Sequence, residues 1–414
     1  MEIHKVENNK LRRIEINFHL KMSLSIIRYL GTWPSQGYYR PLYIFYSICL
    51  SFVMLGVFIF VQLVNLILIW GDVTKMVSGA FLLMTNVLHM FKIINIFRHQ
   101  KRIQALLNLV NSETFNRHNV ELKYFLTKYT WNGIYHYIAY QSFGTVAVLC
   151  WGFTPVADFI AGHERRLPMD GWYPYNITKS PAFEVTCAHQ FIAVSMCCFH
   201  NVALDTLVTG LITIACCQLE QLKYKIITIE DDSNAKSILT GYQGMQTSKI
   251  HESNDRAYEE LGKCIEHNNV IVNFTKEIQE IFGTSIFMQF LVNCIIICLT
   301  AFHITQMKVY IPAELIGMTA YTCCMTYQIF IYCWHGNELY LQSQSVVLAA
   351  YSGNWWKYSE RYKRAVRLIM IGASRPLTLT AGSLMTLSLQ TFVGILRASY
   401  SFFTVLQTTT NKEK

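Results

Sequence analysis

Charged residues are scarce in this chain. Asp, Glu, Lys and Arg make up 15% of its 414 residues, whereas soluble domains usually contain about 25%. The deficit is concentrated in long stretches without any charge, such as residues 42–71, and 52% of all residues are hydrophobic. This pattern disfavours a soluble globular fold and predicts a protein that crosses a lipid bilayer several times.

The motifs of enzymes and of nucleic-acid-binding proteins are also lacking. The chain has no Gly-rich phosphate loop, no Cys-x-x-Cys pair and no triad of catalytic residues in a polar domain. We therefore predict neither an enzyme nor a cofactor or metal site. The net charge of +9 does not indicate a nucleic-acid partner, because Lys and Arg lie beside the apolar stretches, where they act as topology signals.

Cysteine, in contrast, is abundant. The chain has 13 cysteines, and most lie within apolar stretches, for example Cys216 and Cys217. Adjacent cysteines on a helix point to different faces and are poor zinc ligands, so we interpret most of them as small buried hydrophobic residues. Cys150 and Cys187 lie at the predicted outer ends of two helices and are candidates for a disulfide bond.

A helix needs about 20 mostly apolar residues to cross a bilayer. Seven stretches of the chain are apolar enough to do so. We predict an all-α membrane protein with one seven-helix domain over residues 1–414. The first 40 residues lack the apolar core and cleavage site of a signal peptide, so the first span is expected to direct insertion. The predicted spans cover approximately residues 42–70, 76–97, 129–157, 185–217, 281–305, 312–336 and 376–408.

The segments between the spans predict their orientation. Lys and Arg outnumber Asp and Glu by seven to three in residues 1–40, by seven to two in 92–128 and by six to two in 335–375. The alternate segments are balanced, with three against three in 159–186 and one against one in 303–314. Because positive charge marks the cytoplasmic side, the N-terminus is predicted inside and the C-terminus outside.

Two further features agree with this inverted topology. Asn176, followed by Ile177 and Thr178, forms a glycosylation acceptor in a segment that is predicted to be extracellular. A G-protein-coupled receptor would have the opposite orientation, and the chain lacks an Asp-Arg-Tyr motif after its third span and an Asn-Pro-x-x-Tyr motif in its seventh. A secondary transporter would show internal repeats and broken helices, which we do not find.

Polar segments on the cytoplasmic side predict helical extensions of the membrane domain. Residues 218–280 contain a loop rich in Ser, Asn, Gly and Gln at about 230–247 and continue as an amphipathic helix that enters the fifth span. Residues 357–371 predict a second amphipathic helix, the cytoplasmic first part of helix 7, which Pro376 separates from the crossing part. We expect these helices to pack into a cytoplasmic anchor layer.

Motifs in the last 160 residues resemble those of the insect odorant receptor family. Earlier in the chain the similarity is mainly topological, apart from Asp205 in the fourth span and His267 in the helix that enters the fifth. A gustatory receptor of the same superfamily is the main alternative, and the motif at 399–406 favours the olfactory branch. The motifs are Arg-Pro-Leu-Thr-Leu-Thr-Ala-Gly-Ser at 375–383, Leu-Ser-Leu-Gln-Thr-Phe at 387–392, Ser-Tyr-Ser-Phe-Phe-Thr-Val-Leu at 399–406, Cys-Trp-His-Gly-Asn-Glu-Leu at 333–339 and Ala-Tyr-Ser-Gly-Asn-Trp-Trp at 350–356.

The resemblance implies an odour-tuned subunit of a ligand-gated, non-selective cation channel. Subunits of this kind assemble with a shared coreceptor subunit into a heterotetramer in the plasma membrane of olfactory sensory dendrites. The resemblance also implies that the last helix of each subunit lines the pore. The pocket for a small volatile odorant is implied in the outer half of the membrane, between spans 2, 3, 4 and 6.

The last helix contains the candidate pore residues. Ser401, Val405 and Thr408 are spaced to share one helix face, where hydroxyls replace cation-bound water and a ring of Val closes the pore by dewetting. The resemblance implies a gate at Val405 and Leu406. Gln407 and Thr408 are then expected at the outer mouth. These residues are equally suited to ordinary helix packing. Arg397 is predicted close to the same face, with Asp205 as one candidate partner.

Candidate pocket residues come from the outer halves of the four spans. Ligand pockets are mostly apolar, with a few polar groups that fix orientation, and His200 and Tyr321 are the obvious hydrogen-bonding residues. Each candidate is also compatible with ordinary helix packing. The candidates are Val77, Phe81 and Met84 in span 2, Gly144, Ala147 and Trp151 in span 3, Met196, Phe199 and His200 in span 4, and Tyr321, Cys324 and Met325 in span 6.

Overall fold

Helices account for nearly all of the described chain. The structure is a computed structural model that describes residues 17–33, 39–71, 73–115, 120–160, 162, 166–177, 179–239, 246–306 and 312–412. The helices are α1 (Phe18–Tyr29), α2 (Arg40–Ser51), a π-helical turn (Phe52–Gly56), α3 (Val57–Leu68), α4 (Val73–Val110), α5 (Val120–Ile160), α6 (Ala182–Leu239), α7 (Gln246–Gln306), α8 (Pro312–Ser352), a 3-10 turn (Trp355–Lys357), α9 (Glu360–Ala373) and α10 (Leu389–Lys412). A hairpin of β1 (Thr380–Ala381) and β2 (Met385–Thr386) precedes α10.

Each predicted span corresponds to a helix. The first span is α2 and α3 joined by the π-helical turn, spans 2 to 6 are α4 to α8, and span 7 is α10. Six helical stretches in the described chain are long and apolar enough to cross a membrane. The helix α8 is absent from that set because polar residues such as Gln328, which is fully buried, lower its hydropathy.

Burial differs sharply between the helices. The most apolar stretch of α6 is entirely buried, whereas only 11% of the corresponding stretch of α10 is buried. Thus α6 lies at the centre of the subunit, surrounded by α4, α5, α7 and α8, and α10 lies at its edge against α7 and α8. A membrane helix with so little contact inside its own subunit has most of its surface available to other subunits or to lipid.

The helical extensions that the sequence predicts on the cytoplasmic side have buried apolar faces. Ala257, Leu261 and Ile278 on α7 are buried, and so are Tyr362 and Val366 on α9. At the start of α9, Lys363 donates a hydrogen bond to Glu360 and holds the pKa of that carboxyl below its usual value. The predicted loop that begins near residue 230 is helical as far as Leu239, and residues 240–245 lie outside the described chain.

The chain between α9 and α10 is extended and not helical. The crossing helix begins at Leu389, later than residue 376, from which the sequence predicts the seventh span. The β-hairpin in this segment docks on α7: Gln279 Nε2 donates to the carbonyl oxygen of Thr380 at 2.7 Å, and the Thr380 N–H donates to Gln279 Oε1 at 2.7 Å. These bonds hold the start of α10 against α7.

The disulfide bond considered from the sequence is not present. Cys150 and Cys187 both have free thiols. The helix α5 packs closely on α8 at this point, since a Cβ atom on Gly317 would lie 3.0 Å from the Cβ atom of Cys150. Cys150 is thus held against α8, and Cys187 lies on α6.

The hairpin segment also approaches α8 very closely at Gly336. A Cβ atom at this position would lie 2.3 Å from the Cβ atom of Leu387 and 2.7 Å from its carbonyl oxygen. Only a glycine permits this approach without a shift of the backbone. Gly336 belongs to the motif at residues 333–339, and the close contact with Leu387 explains why a glycine is needed at this position of the motif.

We expect Gly336→Ala to destabilise the subunit by about 1–3 kcal/mol, the usual cost of overpacking. The matched control is Gly262→Ala, because an added Cβ atom at Gly262 on α7 would meet no atom within 4 Å. Alanine there is expected to be neutral or stabilising by roughly 0.5–1 kcal/mol. Thermal unfolding of the detergent-solubilised protein measures both, and equal unfolding temperatures for the two variants would contradict the close-packing argument.

Candidate ligand-binding site and pore helix

A cavity lies between α4, α5, α6 and α8. Its walls are mostly apolar and aromatic, as those of small-molecule pockets are. Six of the twelve predicted pocket residues line it, all of them on α5 and α8. They are Gly144, Ala147, Trp151, Tyr321, Cys324 and Met325.

The six other predicted residues do not line the cavity. Phe81 is buried behind the wall, with its ring centroid 5.4 Å from that of Tyr321, and Val77 is also buried. Met84 and Met196 are half-buried. The Phe199 side chain is 41% exposed on the outside of α6, and His200 is buried one step behind the wall.

The predicted residues on α4 and α6 miss the cavity because the helix face is wrong by about one residue. On α4, residues 82, 85 and 89 line it in place of 77, 81 and 84, which corresponds to a rotation of about 100°. Both faces of a buried membrane helix are apolar, so hydropathy contains no signal that distinguishes them. The residues that sequence reasoning missed are Leu82, Thr85, Asn86 and His89 on α4, Tyr140 and Val148 on α5, and Val194, Cys197, Cys198, Asn201 and Val202 on α6.

One side wall of the cavity contains a pair of hydroxyl groups. The Tyr321 and Thr85 oxygens lie 2.6 Å apart. Both hydroxyls also lie within hydrogen-bond distance of the Phe81 carbonyl oxygen, Thr85 at 3.0 Å and Tyr321 at 3.5 Å. Nearby, Asn86 Nδ2 donates to Gln62 Oε1 on α3 at 2.9 Å. These bonds fix the polar side chains before any ligand enters.

Two histidines form a second polar group at the wall. His89 Nε2 lies 3.1 Å from His200 Nδ1, and His200 Nε2 lies 2.7 Å from the Thr32 hydroxyl oxygen. Thr32 follows α1 and is fully buried, and its hydroxyl donates to the carbonyl oxygen of Ile27 at 3.2 Å. His200 is therefore occupied on both nitrogens, and it is His89 that reaches the cavity.

The floor of the cavity rests on a buried ion pair. Lys92 Nζ lies 2.6 Å from Asp205 Oδ1, and the two side chains are only 8% and 1% exposed. Asp205 also accepts hydrogen bonds from Tyr140 at 3.1 Å and Tyr332 at 2.8 Å, and from Gln328. A buried charge is tolerated only with such partners.

Lys92 connects the ion pair to the cavity wall, and a second cavity lies beyond the pair. The ammonium group donates to Asn201 Oδ1 at 2.9 Å, and Asn201 lines the first cavity. The second cavity is lined by Lys92, Asp205, Ser285 and Tyr332 among others. The ion pair thus lies between the two cavities.

Hydrogen bonds continue from this pair towards α10. Gln328, the partner of Asp205, accepts from Gln289 Nε2 at 2.8 Å and from Asn293 Nδ2 at 2.9 Å, both on α7. One residue further along α7, the carbonyl oxygen of Cys294 accepts from the Ser399 hydroxyl on α10 at 2.9 Å. A nearly continuous polar connection therefore runs from the cavity floor to the last helix.

The last helix has a docked face and an open face. Ile395 and Ser399 are buried against the subunit, whereas Ser401, Val405 and Thr408 are exposed, with Val405 64% exposed. The remaining predicted gate residues, Leu406 and Gln407, are half-buried.

Arg397 is exposed on the open side of the same helix. The suggestion that Asp205 is its partner is wrong, because Asp205 is paired with Lys92 inside the bundle. Asn176 is exposed, as a glycosylation acceptor must be, although Thr178 of its triplet lies outside the described residues.

Comparisons with known proteins agree with this architecture. Residues 72–400 match the family described as "7tm Odorant receptor". The protein "Odorant receptor Or1" of Anopheles gambiae is 27% identical over 399 residues, which cover 93% of this chain and 94% of that protein. The "Odorant receptor coreceptor" of the same species is 23% identical over 302 residues, which cover 58% of this chain and 63% of the coreceptor.

A solved structure has the same fold. The insect olfactory receptor OR5 from Machilis hrabei, in complex with eugenol, superimposes with a TM-score of 0.79 over 95% of this chain and 100% of that chain, at 16% identity. Identity this low supports a conclusion about the fold alone. The predicted all-α membrane fold of seven helices is confirmed, and its orientation in the membrane stays a prediction.

Breaking the buried ion pair should be costly. We expect Lys92→Met or Asp205→Asn alone to destabilise the subunit by about 3–5 kcal/mol, because each leaves one buried charge without its partner. The double variant should recover much of this loss. The control is Lys128→Met. Lys128 forms a partly exposed ion pair with Glu220, and such a pair contributes about 0–1 kcal/mol to stability. Surface expression and thermal unfolding measure the effect, and single variants as mild as Lys128→Met would contradict it.

Proposed function

Because the chain belongs to the 7tm odorant receptor family, we propose that it is the odour-tuned subunit of a ligand-gated, non-selective cation channel. A small volatile molecule binds in the cavity between α4, α5, α6 and α8 and opens a pore lined by α10. The observation that carries the proposal is the cavity itself, which is mostly apolar and from which a nearly continuous polar connection runs to α10. The family is one of receptors and not of enzymes.

The walls of the cavity suit neutral, mostly apolar ligands. Trp151, Val148 and Met325 offer apolar surface, and burial of a ligand against it contributes roughly 25 cal/mol per Å² before the costs of association are subtracted. The charged groups beneath the floor are neutralised by each other. A charged ligand would have to lose its hydration without finding a free counterion, so the cavity selects against it.

The polar connection beneath the cavity is our candidate for the gating path. A ligand that separates α5 from α8 alters the geometry at Asp205, because Tyr140 on α5 and Gln328 on α8 both donate to that carboxylate. Gln328 in turn holds Asn293 on α7, next to the carbonyl group that binds Ser399 of α10. Movement of these side chains can therefore change how α10 is held.

The open face of α10 supplies the pore lining when subunits assemble. Val405 and Leu406 form the hydrophobic constriction, which gates by dewetting. Ser401 lies deeper, and Gln407 and Thr408 lie at the mouth. Because none of these residues carries a negative charge, the constriction does not select strongly among cations. The cytoplasmic layer of α7 and α9 anchors neighbouring subunits.

The proposed partner is the coreceptor subunit, in a heterotetramer of the plasma membrane of olfactory sensory dendrites. The similarity to the Anopheles coreceptor supports a shared architecture between the two subunit types. We also propose the orientation that the charge distribution predicts, with the N-terminus cytoplasmic and the outer end of α10 extracellular, which places Asn176 outside for glycosylation. A gustatory-type channel remains the second candidate.

Co-expression with a coreceptor should produce odour-evoked cation currents that persist under G-protein blockade. Gly144→Val should reduce the apparent affinity at least tenfold, since an added Cβ atom at Gly144 would lie 2.6 Å from the Cys198 sulfur and fill the cavity. Gly262→Val, far from the cavity, is the matched control. Odour-evoked currents in the absence of the coreceptor would favour the gustatory-type channel. Currents abolished by G-protein blockade would exclude both the odorant-receptor channel and the gustatory-type channel.

A thiol reagent that cannot cross membranes tests the pore and its orientation together. Applied from outside, it should block the currents of Val405→Cys and spare those of Tyr400→Cys, which is exposed about 140° further around α10. The wild-type channel, with its native cysteines, is the background control. Equal sensitivity of the two variants removes Val405 from the pore, and insensitivity of both contradicts an extracellular end of α10.

A further inference from the structure

The Asn201 side chain has a fixed orientation at the floor of the cavity. Lys92 Nζ lies 2.9 Å from Asn201 Oδ1 and 2.6 Å from Asp205 Oδ1. Because it is paired with the Asp205 carboxylate, Lys92 is an ammonium group, which has three donors and no acceptor. The Asn201 atom that faces it must therefore be the oxygen, and the amide NH2 group points away from Lys92.

This NH2 group is accessible and has no partner in the described chain. Asn201 Nδ2 forms no hydrogen bond there, yet, unlike His89 Nδ1, it is not one of the completely buried atoms that lack a partner. The side chain is half-buried, so this nitrogen retains accessible surface. Asn201 shares the cavity-lining face of α6 with Val194, Cys197 and Cys198, at spacings of three, four and seven residues. The free N–H groups therefore lie at the cavity.

The hydroxyl groups of the wall, in contrast, have acceptors within the protein. Tyr140 donates to the Asp205 carboxylate. Tyr321 and Thr85 lie 2.6 Å apart, and both lie within hydrogen-bond distance of the Phe81 carbonyl oxygen. Both of their protons thus find an acceptor, whichever hydroxyl donates to the other. None of these three hydroxyl groups requires a ligand as its acceptor.

The other nitrogen donors of the wall are less suited to a ligand. The Trp151 indole nitrogen faces Gly317 on α8, since an added Cβ atom there would lie 3.1 Å from it, and Gly317 does not line the cavity. Asn86 contacts the Gln62 amide, and this contact fits either orientation of the two amides. The Asn201 amide alone among these groups has an ammonium ion on its oxygen, which polarises the amide and strengthens its N–H groups as donors.

We propose that Asn201 anchors the ligand and that the cavity takes small, mostly apolar carbonyl compounds: ketones, aldehydes and esters whose oxygen accepts an N–H of Asn201. This inference rests on the proposed function in one respect, namely that the cavity is the ligand site. The carbonyl end lies at the floor, next to the ion pair, and the apolar body lies against Val148 and Met325. Hydrocarbons of the same shape leave the N–H groups of Asn201 without an acceptor.

The contact is measured by a ratio of affinities, that of a carbonyl compound divided by that of the alkene in which a CH2 group replaces the carbonyl oxygen. The carbonyl compound loses more hydration on binding than the alkene, but this difference belongs to the free ligands and is the same for every protein variant. A comparison of the ratio between variants therefore isolates the contact with Asn201. We expect the ratio to fall roughly five- to tenfold when the N–H groups are removed, which is the size of one buried hydrogen bond.

The test uses the complex with the coreceptor and three pairs of probes. They are acetophenone with α-methylstyrene, cyclohexanone with methylenecyclohexane, and benzaldehyde with styrene. The dependence of the unfolding temperature of the fluorescently tagged subunit on probe concentration reports affinity, and currents report activation. The variant Asn201→Leu removes the amide and keeps a side chain of similar shape, so we expect the ratio to fall for all three pairs.

A second variant, Asn201→Ser, is milder because it keeps an oxygen on the same side of the helix as Lys92. Serine and threonine side chains on a helix donate to the carbonyl oxygen one turn earlier, as Thr206 and Thr213 on α6 do. The serine proton is then not offered to a ligand. We expect the same fall in the ratio as in Asn201→Leu.

The matched controls are Asn86→Leu and Trp151→Phe, each of which removes a different N–H group from the same cavity. Either change can weaken both members of a probe pair alike, but the ratio should stay within about twofold of the wild type. Ligand-free unfolding temperatures show which variants are folded.

The outcomes separate this inference from the proposed function. An unchanged ratio in a folded Asn201 variant overturns the inference, and so does a fall of the same size in a control or the absence of stabilisation by any probe. A ratio that depends on Asn201, without currents, supports the inference and contradicts the channel function. Odour-evoked currents with a ratio that does not depend on Asn201 contradict the inference and leave the channel function standing.

Discussion

The buried contact between Lys92 and Asp205 determines how the helices of this subunit meet. An isolated charge in hydrocarbon is costly, so each of these side chains requires the other, and the carboxylate requires the donors that surround it. Those donors come from α4, α5 and α8, while Asp205 itself lies on the central helix α6. Four helices are thereby held in register at one depth, with a cavity on each side of the contact.

Much of this architecture could be predicted from the sequence, because hydropathy and charge report directly on the bilayer. All seven spans are helices, and the amphipathic stripe through Ala257 and Leu261 is buried as predicted. What hydropathy cannot report is the rotation of a helix that is apolar on every side. For this reason the sequence predicted the wrong faces of α4 and α6 for the cavity. Phe199, for example, was predicted in the pocket but lies on the outside of α6. The extended start before Leu389 also carries no hydropathy signal, since its residues are as apolar as those of a helix.

The polar residues of the site were the hardest to assign from sequence. His200 was a candidate because it is the obvious hydrogen-bonding residue among the candidates of span 4, yet both its nitrogens are occupied within the protein. The residue that reaches the cavity is His89, and only the three-dimensional arrangement distinguishes them.

The open face of α10 has a consequence for the subunit before it assembles. Arg397 is exposed there, on the least buried of the apolar helices, and an arginine facing lipid near the centre of a span costs about 2.5–3.5 kcal/mol on insertion scales. An isolated subunit therefore carries this cost in the bilayer, and in the proposed channel it is removed because α10 faces a water-filled pore. The arginine side chain would thus favour the assembled channel over the isolated subunit.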